Sequence, residues 1–441
     1  MRDSQAPAAP DFLQAFAYWL KLGFISFGGP AGQIAMMHHE LVEKRRWISE
    51  GRFLHALNYC MLLPGPEAQQ LAIYLGWLLR RTAGGIVAGV LFVLPSFFIL
   101  AVLSYIYLVY GHIPAMQAAF GGIKPVVVAI VAFTAWRIGS RVLQNRLLQA
   151  IALLALVAML LFKIAFPWII LVAALTGLLA GRLRPGLFAA KAHAATGGKH
   201  PPALIDDDTP RAPHTRFRAT YLATLLVVAG LLGMAVWWLL DAPVLRDMGS
   251  FFTRAALLTF GGAYAVLPYV YQGAVEQFQW LTASQMIDGL ALGETTPGPL
   301  IMIVAFVGFV GAWSHAIFGP DALLLAGLSG AATATFFTFL PSFVFILAGA
   351  PLVESTHGKL HFTAPLTAIS AAVVGVIVNL AVFFAAHVFW PAGTGTLAGV
   401  DIPAVLIALA AFIALHRWQV GVISVITAGA ACGLIRHAIG I

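Results

Sequence analysis

Apolar runs of about 20 residues, separated by short polar turns, recur along most of this chain. Ile86–Tyr110, Tyr221–Leu240 and Ala322–Leu340 are examples. A run of that length crosses the hydrocarbon core of a bilayer as a helix. The strands of a transmembrane barrel would instead read as short alternating segments, and no such pattern is present. The pattern therefore predicts an all-α polytopic membrane protein with about thirteen membrane segments by hydropathy. Composition agrees. Of 441 residues, 61% are hydrophobic and 10% charged, against about 25% charged in an ordinary soluble domain. The opening MRDSQAPAAPDF carries no cleavable signal pattern. The net charge of +8 sits mostly in loops beside hydrophobic spans. That bias orients a membrane chain rather than binding nucleic acid. Cys60 and Cys432 lie in separate apolar runs, so neither a disulfide framework nor a metal site or cofactor is expected.

The chain repeats itself. Phe27-Gly28-Gly29 recurs as Phe260-Gly261-Gly262, and Pro64-Gly65-Pro66 as Pro297-Gly298-Pro299, both at an offset of 233. At that offset Lys21 meets Arg254, Glu43 meets Glu276 and Trp47 meets Trp280. Leu94-Pro95-Ser96-Phe97 recurs as Leu340-Pro341-Ser342-Phe343 at 246, which places an insertion of about thirteen residues between. These landmarks divide the chain into a first repeat, 11–181, and a second, 244–437. The hydrophilic stretch 182–218 reads as a disordered cytoplasmic linker, and 219–240 as one extra transmembrane helix.

Loop charges supply orientation. Lys44-Arg45-Arg46, Arg80-Arg81, the group Arg137, Arg141 and Arg146, and Arg182 with Arg184 read as cytoplasmic. In the second repeat the matching loop reads Gln277-Phe278-Gln279, and the equivalent of Arg80-Arg81 falls near Gly311-Ala312. Opposite orientation of the repeats explains the loss of cations, and the extra helix provides the crossing that inverts the second copy. With 44–46 and 80–81 on one side, 52–79 becomes a hairpin turning at Pro64-Gly65-Pro66. With the N-terminus inside, 11–42 likewise turns at Gly28-Gly29-Pro30.

Such breaks point to a site. Proline withholds a backbone donor and glycine frees the backbone. Broken backbone at membrane depth survives only when buried in protein or lining a cavity. The helix that follows offers unpaired N–H groups and the positive end of its dipole, which suits a tetrahedral oxyanion. Candidate donors are Gly32 and Gln33 after Pro30, and Ala68, Gln69 and Gln70 after Pro66. In the second repeat they are Ala263 and Tyr264 after Gly262, and Leu300, Ile301 and Met302 after Pro299. Lys21 and Arg254, each seven residues before a Gly-Gly break, are candidate cations for the anion, and Lys124 in GGIKPVV is a third. Snorkelling or pairing is the alternative reading for all three. Glu67, after Pro66, and Glu294, before Thr295-Thr296-Pro297, read as caps or as titrating groups that couple transport to protons. His55 and Asp288, equivalents at 233, carry the same two readings. Asn58, Gln69 and Gln70 either donate to substrate or tie the broken helix. His38-His39-Glu40 reads as surface, because neighbouring histidines on a helix point apart. Trp47 and Trp280 read as interfacial residues at the hairpin bases, with Glu43 and Glu276 fixing the turns.

The strings KLGFISFGGPAGQIAMMHHELVEKRRWIS from Lys21, LLPGPEAQQLAIYLGW from Leu62 and LGETTPGPLIMIVAFVGF from Leu292 resemble the chromate ion transporter family in its long-chain, two-domain form. The resemblance spans nearly the whole chain. It implies chromate efflux across the bacterial inner membrane, chromate resistance, and two halves inserted in opposite orientations. It also lends importance to Phe27, Gly28, Gly29, Pro30, Trp47, Pro64, Gly65 and Pro66. The second copy departs from the pattern, with Ala263 in place of proline and Leu300 where the first copy has Glu67, so the two half-sites are not equivalent.

The expected function is secondary transport of a tetrahedral oxyanion between the two inverted repeats. Chromate is named by the resemblance, and sulfate or another oxyanion is the alternative. Proton coupling, sulfate exchange and uniport stay open, as does a homodimer. A P-loop, HExxH, GxSxG and clustered Cys/His are absent from the sequence, which disfavours a primary pump and a membrane-embedded enzyme.

Overall fold

The computed structural model describes residues 7–27, 29–183, 202–207, 209, 213–260, 262–356, 363–391 and 399–440. Seven helices form the first half: α1 (Phe12–Ile25), α2 (Gly29–His38), α3 (Glu50–Leu62), α4 (Glu67–Tyr110), α5 (Pro114–Val142), α6 (Arg146–Leu160) and α7 (Phe166–Leu183). The lone helix α8 (Ala219–Leu239) follows. Then come α9 (Pro243–Leu257), α10 (Ala263–Tyr271), α11 (Ala283–Thr295), α12 (Ile303–Ser314), α13 (Leu323–Thr356), α14 (Thr363–Phe389), α15 (Ile402–Arg417) and α16 (Val422–Ala438). Among the described residues the only β pairing is a single bridge, Ile48 to Ile205.

Length separates two kinds of apolar helix that hydropathy alone does not. Among the described residues, six are long and apolar enough to cross a membrane: α4, α5, α7, α8, α13 with the turn before it, and α14. The chain is a multi-pass membrane protein. By contrast, α3 and α11 have 13 residues each, about 20 Å at 1.5 Å per residue. That falls short of the roughly 30 Å hydrocarbon core. The first arm of α4 is equally short, because helical geometry fails at Arg80 (φ −140°) and Arg81 (φ 58°). In the second half the corresponding bend opens into a loop between α12 and α13, where the thirteen-residue insertion falls.

Backbone details recur at the 233-residue offset. Positive φ occurs at Gly29 and Gly262, at Arg46 and Gln279, and at Gly65 and Gly298. One π turn runs from His39 to Lys44 and another from Gln272 to Gln277. Each closes with a hydrogen bond from a tryptophan N–H, Trp47 to Leu41 O at 2.8 Å and Trp280 to Ala274 O at 2.7 Å. This closure tucks both tryptophans inward. Trp47 is 5% exposed and Trp280 3%, so they pack under the hairpins instead of sitting at the interface. Arg45 lies 4.7 Å over the Trp47 ring, and Phe278 stacks on Trp280 at 4.6 Å. The wide turn also brings neighbouring histidines to one acceptor. His38 Nδ1 lies 3.2 Å and His39 Nδ1 2.7 Å from Glu43, which a regular helix would not allow. The hydrogen bond from His39 holds the exposed Glu43 carboxyl below its ordinary range.

The hydrophilic stretch between the halves is not all free coil. Residues 184–201, 208 and 210–212 lie outside the described residues, but what surrounds them docks, as a strap, on the loop between the two hairpins of the first half and on the second of them. Leu204 N–H and Ile205 N–H donate to Arg46 O and Trp47 O, and Ser49 N–H donates back to Ile205 O. Ser49 Oγ donates to Asp207 at 2.6 Å. Arg52 Nε donates to Asp206 O, and the His214 ring stands edge-on to Trp77. The same Arg52 pairs with the buried Glu354 of α13, which also accepts from Tyr74.

The halves interlock. The long α5 of the first half packs on α15 and α16 of the second, while α14 of the second packs on α6 and α7 of the first. Both contacts run through small residues, as close helix packing in membranes requires. Gly122 of α5 faces Gly429 and Gly433 of α16, and Gly375 of α14 faces Ala152 of α6.

Candidate functional site

Each half builds its tip in the same way. Ser49 caps α3 and Thr282 caps α11, each accepting from the backbone three residues on. Both helices end where a proline prevents continuation. The chain then passes through Gly65 (φ 126°) or Gly298 (φ 105°), a backbone conformation open to glycine. A β-carbon on Gly65 would lie 2.5 Å from Gln70 Nε2 and Ser342 Oγ, and one on Gly298 2.8 Å from Ser96 Cβ. A helix restarts after Pro66 and, through a short 3-10 turn, after Pro299.

The two tips cross. Gly65 N–H donates to Thr259 O at 2.7 Å, at the break of the second half. Gly298 N–H donates to Ser26 O at 2.9 Å, at the break of the first. Gly65 and Gly298 are repeat equivalents, as are Ser26 and Thr259, so the exchange is reciprocal. Gln33 ties the crossing, with Nε2 donating to Ser26 O at 3.0 Å and Gly298 O at 2.5 Å. Gln70 does the same on the other side, donating to Pro64 O at 2.7 Å and Ser342 Oγ at 3.4 Å.

Around this crossing lie buried polar atoms with no hydrogen-bond partner among the described residues. They are Ser26 Oγ, Gln33 Oε1, both amide atoms of Gln69, Gln70 Oε1 and Ser96 Oγ. Each such group costs about 1–3 kcal/mol when it stays unpaired. Gln33, Gln69 and Gln70 lie in the opening turns of α2 and α4, Ser26 at the end of α1 and Ser96 within α4, and together they make a polar seat whose atoms are satisfied only by a ligand or water. Glu67, on the first turn of α4, is half-buried and has no hydrogen bond or ion pair among the described residues. Glu294 accepts a hydrogen bond from Tyr264. Thr296 turns its hydroxyl back to Gly293 O.

The structure thus brings together Gln33, Pro64, Gly65, Pro66, Ala68, Gln69 and Gln70 of the first half with Pro297, Gly298 and Pro299 of the second. Gly29, Pro30 and Gly32 begin α2 beside them, and Gly262 precedes α10. Gly28 and Gly261 lie outside the described residues. The expected cations are elsewhere. Lys21 is exposed and lines a cavity of about 340 Å³ built only from the first hairpin, with Tyr18, Met36, His39 and Glu40. Arg254 is exposed on α9. Neither makes a hydrogen bond or ion pair with a tip among the described residues. Seven residues before the break is about two helical turns, or roughly 10 Å along the axis. Lys124 donates to Ser284 at 2.6 Å, away from the crossing. Asn58 is exposed, and Asp288 is buried beside Lys124. Ser26, Thr259, Ser96 and Ser342 are not among the site residues expected from the sequence, although the repeat marks them. Each pair keeps a small hydroxyl residue at an equivalent position.

The family model for chromate transporters matches residues 13–178 and 246–434. A chromate transport protein of Cupriavidus metallidurans is 31% identical over 427 residues, 96% of this chain and 93% of the relative. One from Pseudomonas aeruginosa is 33% identical over 382 residues, 84% of this chain and 80% of its own. A probable chromate transport protein of Synechococcus elongatus is 30% identical over 419 residues, covering 92% and 90%. No solved structure matches the chain. With both halves matched and relatives alike over nearly their whole length, the chain belongs to the chromate transporter family.

Proposed function

We propose that this protein exports chromate across the bacterial inner membrane by secondary transport and so confers chromate resistance. The carrying observation is the set of unpartnered buried polar atoms where two helix breaks cross. In this reading residues 11–181 and 244–437 are repeats of opposite orientation, and the crossing is the substrate seat between them. The N–H groups after Pro66 and Pro299, with the Gln69 amide, hold the oxyanion. The Gly65–Thr259 and Gly298–Ser26 hydrogen bonds close the seat, and loosening one pair at a time gives access from one side at a time. Lys21 and Arg254, outside the crossing, draw the anion toward it. An inside-negative potential drives a dianion outward by about 2.3 kcal/mol per charge for each 100 mV. No bond of the substrate is made or broken.

Gln69→Leu keeps the volume and removes both polar atoms. Cells producing the native chain should accumulate less chromate than cells producing this variant at equal membrane abundance, and added sulfate should compete only weakly. Equal accumulation in the two strains refutes the assignment of the seat. Accumulation unaffected by the native protein refutes chromate as cargo.

A further inference from the structure

A second polar cluster also joins the halves, and the crossing does not use it. Near the turn 111–113, the α4–α5 connection faces the first turns of α11 across a cavity of about 410 Å³. Tyr107, His112, Gln117, Lys124, Ser284 and Asp288 give it a polar lining. Lys124 Nζ donates to Ser284 Oγ at 2.6 Å and stands 3.6 Å from Asp288 Oδ2. Tyr107 donates to that same oxygen at 2.9 Å. Asp288 is 3% exposed, and its Oδ1 has no hydrogen-bond partner among the described residues.

Two features of this geometry matter together. The ammonium lies beyond hydrogen-bond distance of the carboxylate, so charge attraction holds it there while Ser284 Oγ accepts its hydrogen bond. The second carboxylate oxygen is buried and unpaired, an arrangement that suits a bound proton. An oxyanion entering the cavity meets Lys124 as its cation and the positive end of α11. It also meets the negative charge of Asp288, which repels it and competes for Lys124. Protonation of Asp288 removes both obstacles.

We propose that this cavity is an oxyanion site whose occupancy is linked to a proton on Asp288, with Lys124 passing from Asp288 to the anion as the proton arrives. The proposal rests on the reading of the chain as an oxyanion carrier and adds a proton-linked binding site to it. Proton and anion bind together, so anion affinity rises as pH falls. The charged or titratable groups facing Asp288 are Lys124 from α5, Tyr107 from α4 and His112 from the connecting turn. The α11 residues beside it, Ser284 and Gln285, are neutral. Among the described residues, the other helices packed on α11 add no charged or titratable side chain to the cavity lining.

The full chain in proteoliposomes tests this, with sulfate as the probe because it stays a dianion across the neutral range. The half-saturating sulfate concentration of the native protein should fall on acidification, by up to about tenfold per pH unit, the limit for one linked proton. Asp288→Asn should exchange sulfate with a flat pH profile, and Lys124→Gln should bind weakly at every pH, with the shallower slope that the Asp288 repulsion alone leaves. His112→Gln should keep the native slope. A native slope in Asp288→Asn, or a flat native profile, overturns the proposal. Where Asp288→Asn does not fold, Lys124→Gln decides alone, since native sulfate affinity in that variant is equally fatal. Transport of sulfate but not chromate would defeat the chromate reading and leave this one intact.

Discussion

Among the described glycines with positive φ, Gly65 is the one where an added methyl group meets the closest atoms. Its φ of 126° excludes other side chains, and a β-carbon would strike Gln70 and Ser342. Gly262 is the control, with φ of 98° but open space around the added carbon. Gly262→Ala should carry only the backbone cost, about 1–3 kcal/mol. Gly65→Ala should carry that and the collision, and lower the thermal midpoint in detergent further. Equal midpoints would mean that the tip has room to move. The sequence marks such positions clearly, because glycine and proline at membrane depth have few other uses. It does not mark their partners. Gly65 and Gly298 reach Thr259 and Ser26 through backbone atoms, which leave no side-chain signature. Lys21 and Arg254 were legible as repeated charges, but a repeated charge does not say which way a helix faces.

At the scale of elements, the short hairpins and the docked strap set the local order. The hairpin turns were readable from Pro-Gly-Pro and the flanking arginines. The π turns were not, since their single extra residue has no compositional cue, and they decide where Trp47 and His38 point. The strap was hidden by its polar composition, which suggests free coil until Ile205 pairs with Ile48. Proline at 205 would delete the donor to Trp47 O and strain the bridge. Ile205→Pro in membranes should therefore be cut by trypsin at Arg216 and Arg218 several-fold faster than the native chain. Unchanged cleavage would show that the strap is held by Asp207 and His214 rather than by the backbone.

At the scale of the whole molecule, neither half is complete alone. Each tip closes on the other half, and α5 and α14 each lie against the closing helices of the other half. Opening the chain within 184–201 and producing both pieces in one cell should restore most of the transport activity. Either piece alone should be degraded, as abundance in membrane fractions would report. Stable single pieces would contradict the interlock. The interlock also sets a timetable for biosynthesis. Gly122 leaves the ribosome about 300 residues before Gly429, its partner on α16. At about 5–20 residues per second, that is a delay of some 15–60 seconds. For that interval the glycine face of α5 stands against lipid, and the protein depends on insertion machinery or on slow lateral diffusion to keep the face free for its last helix.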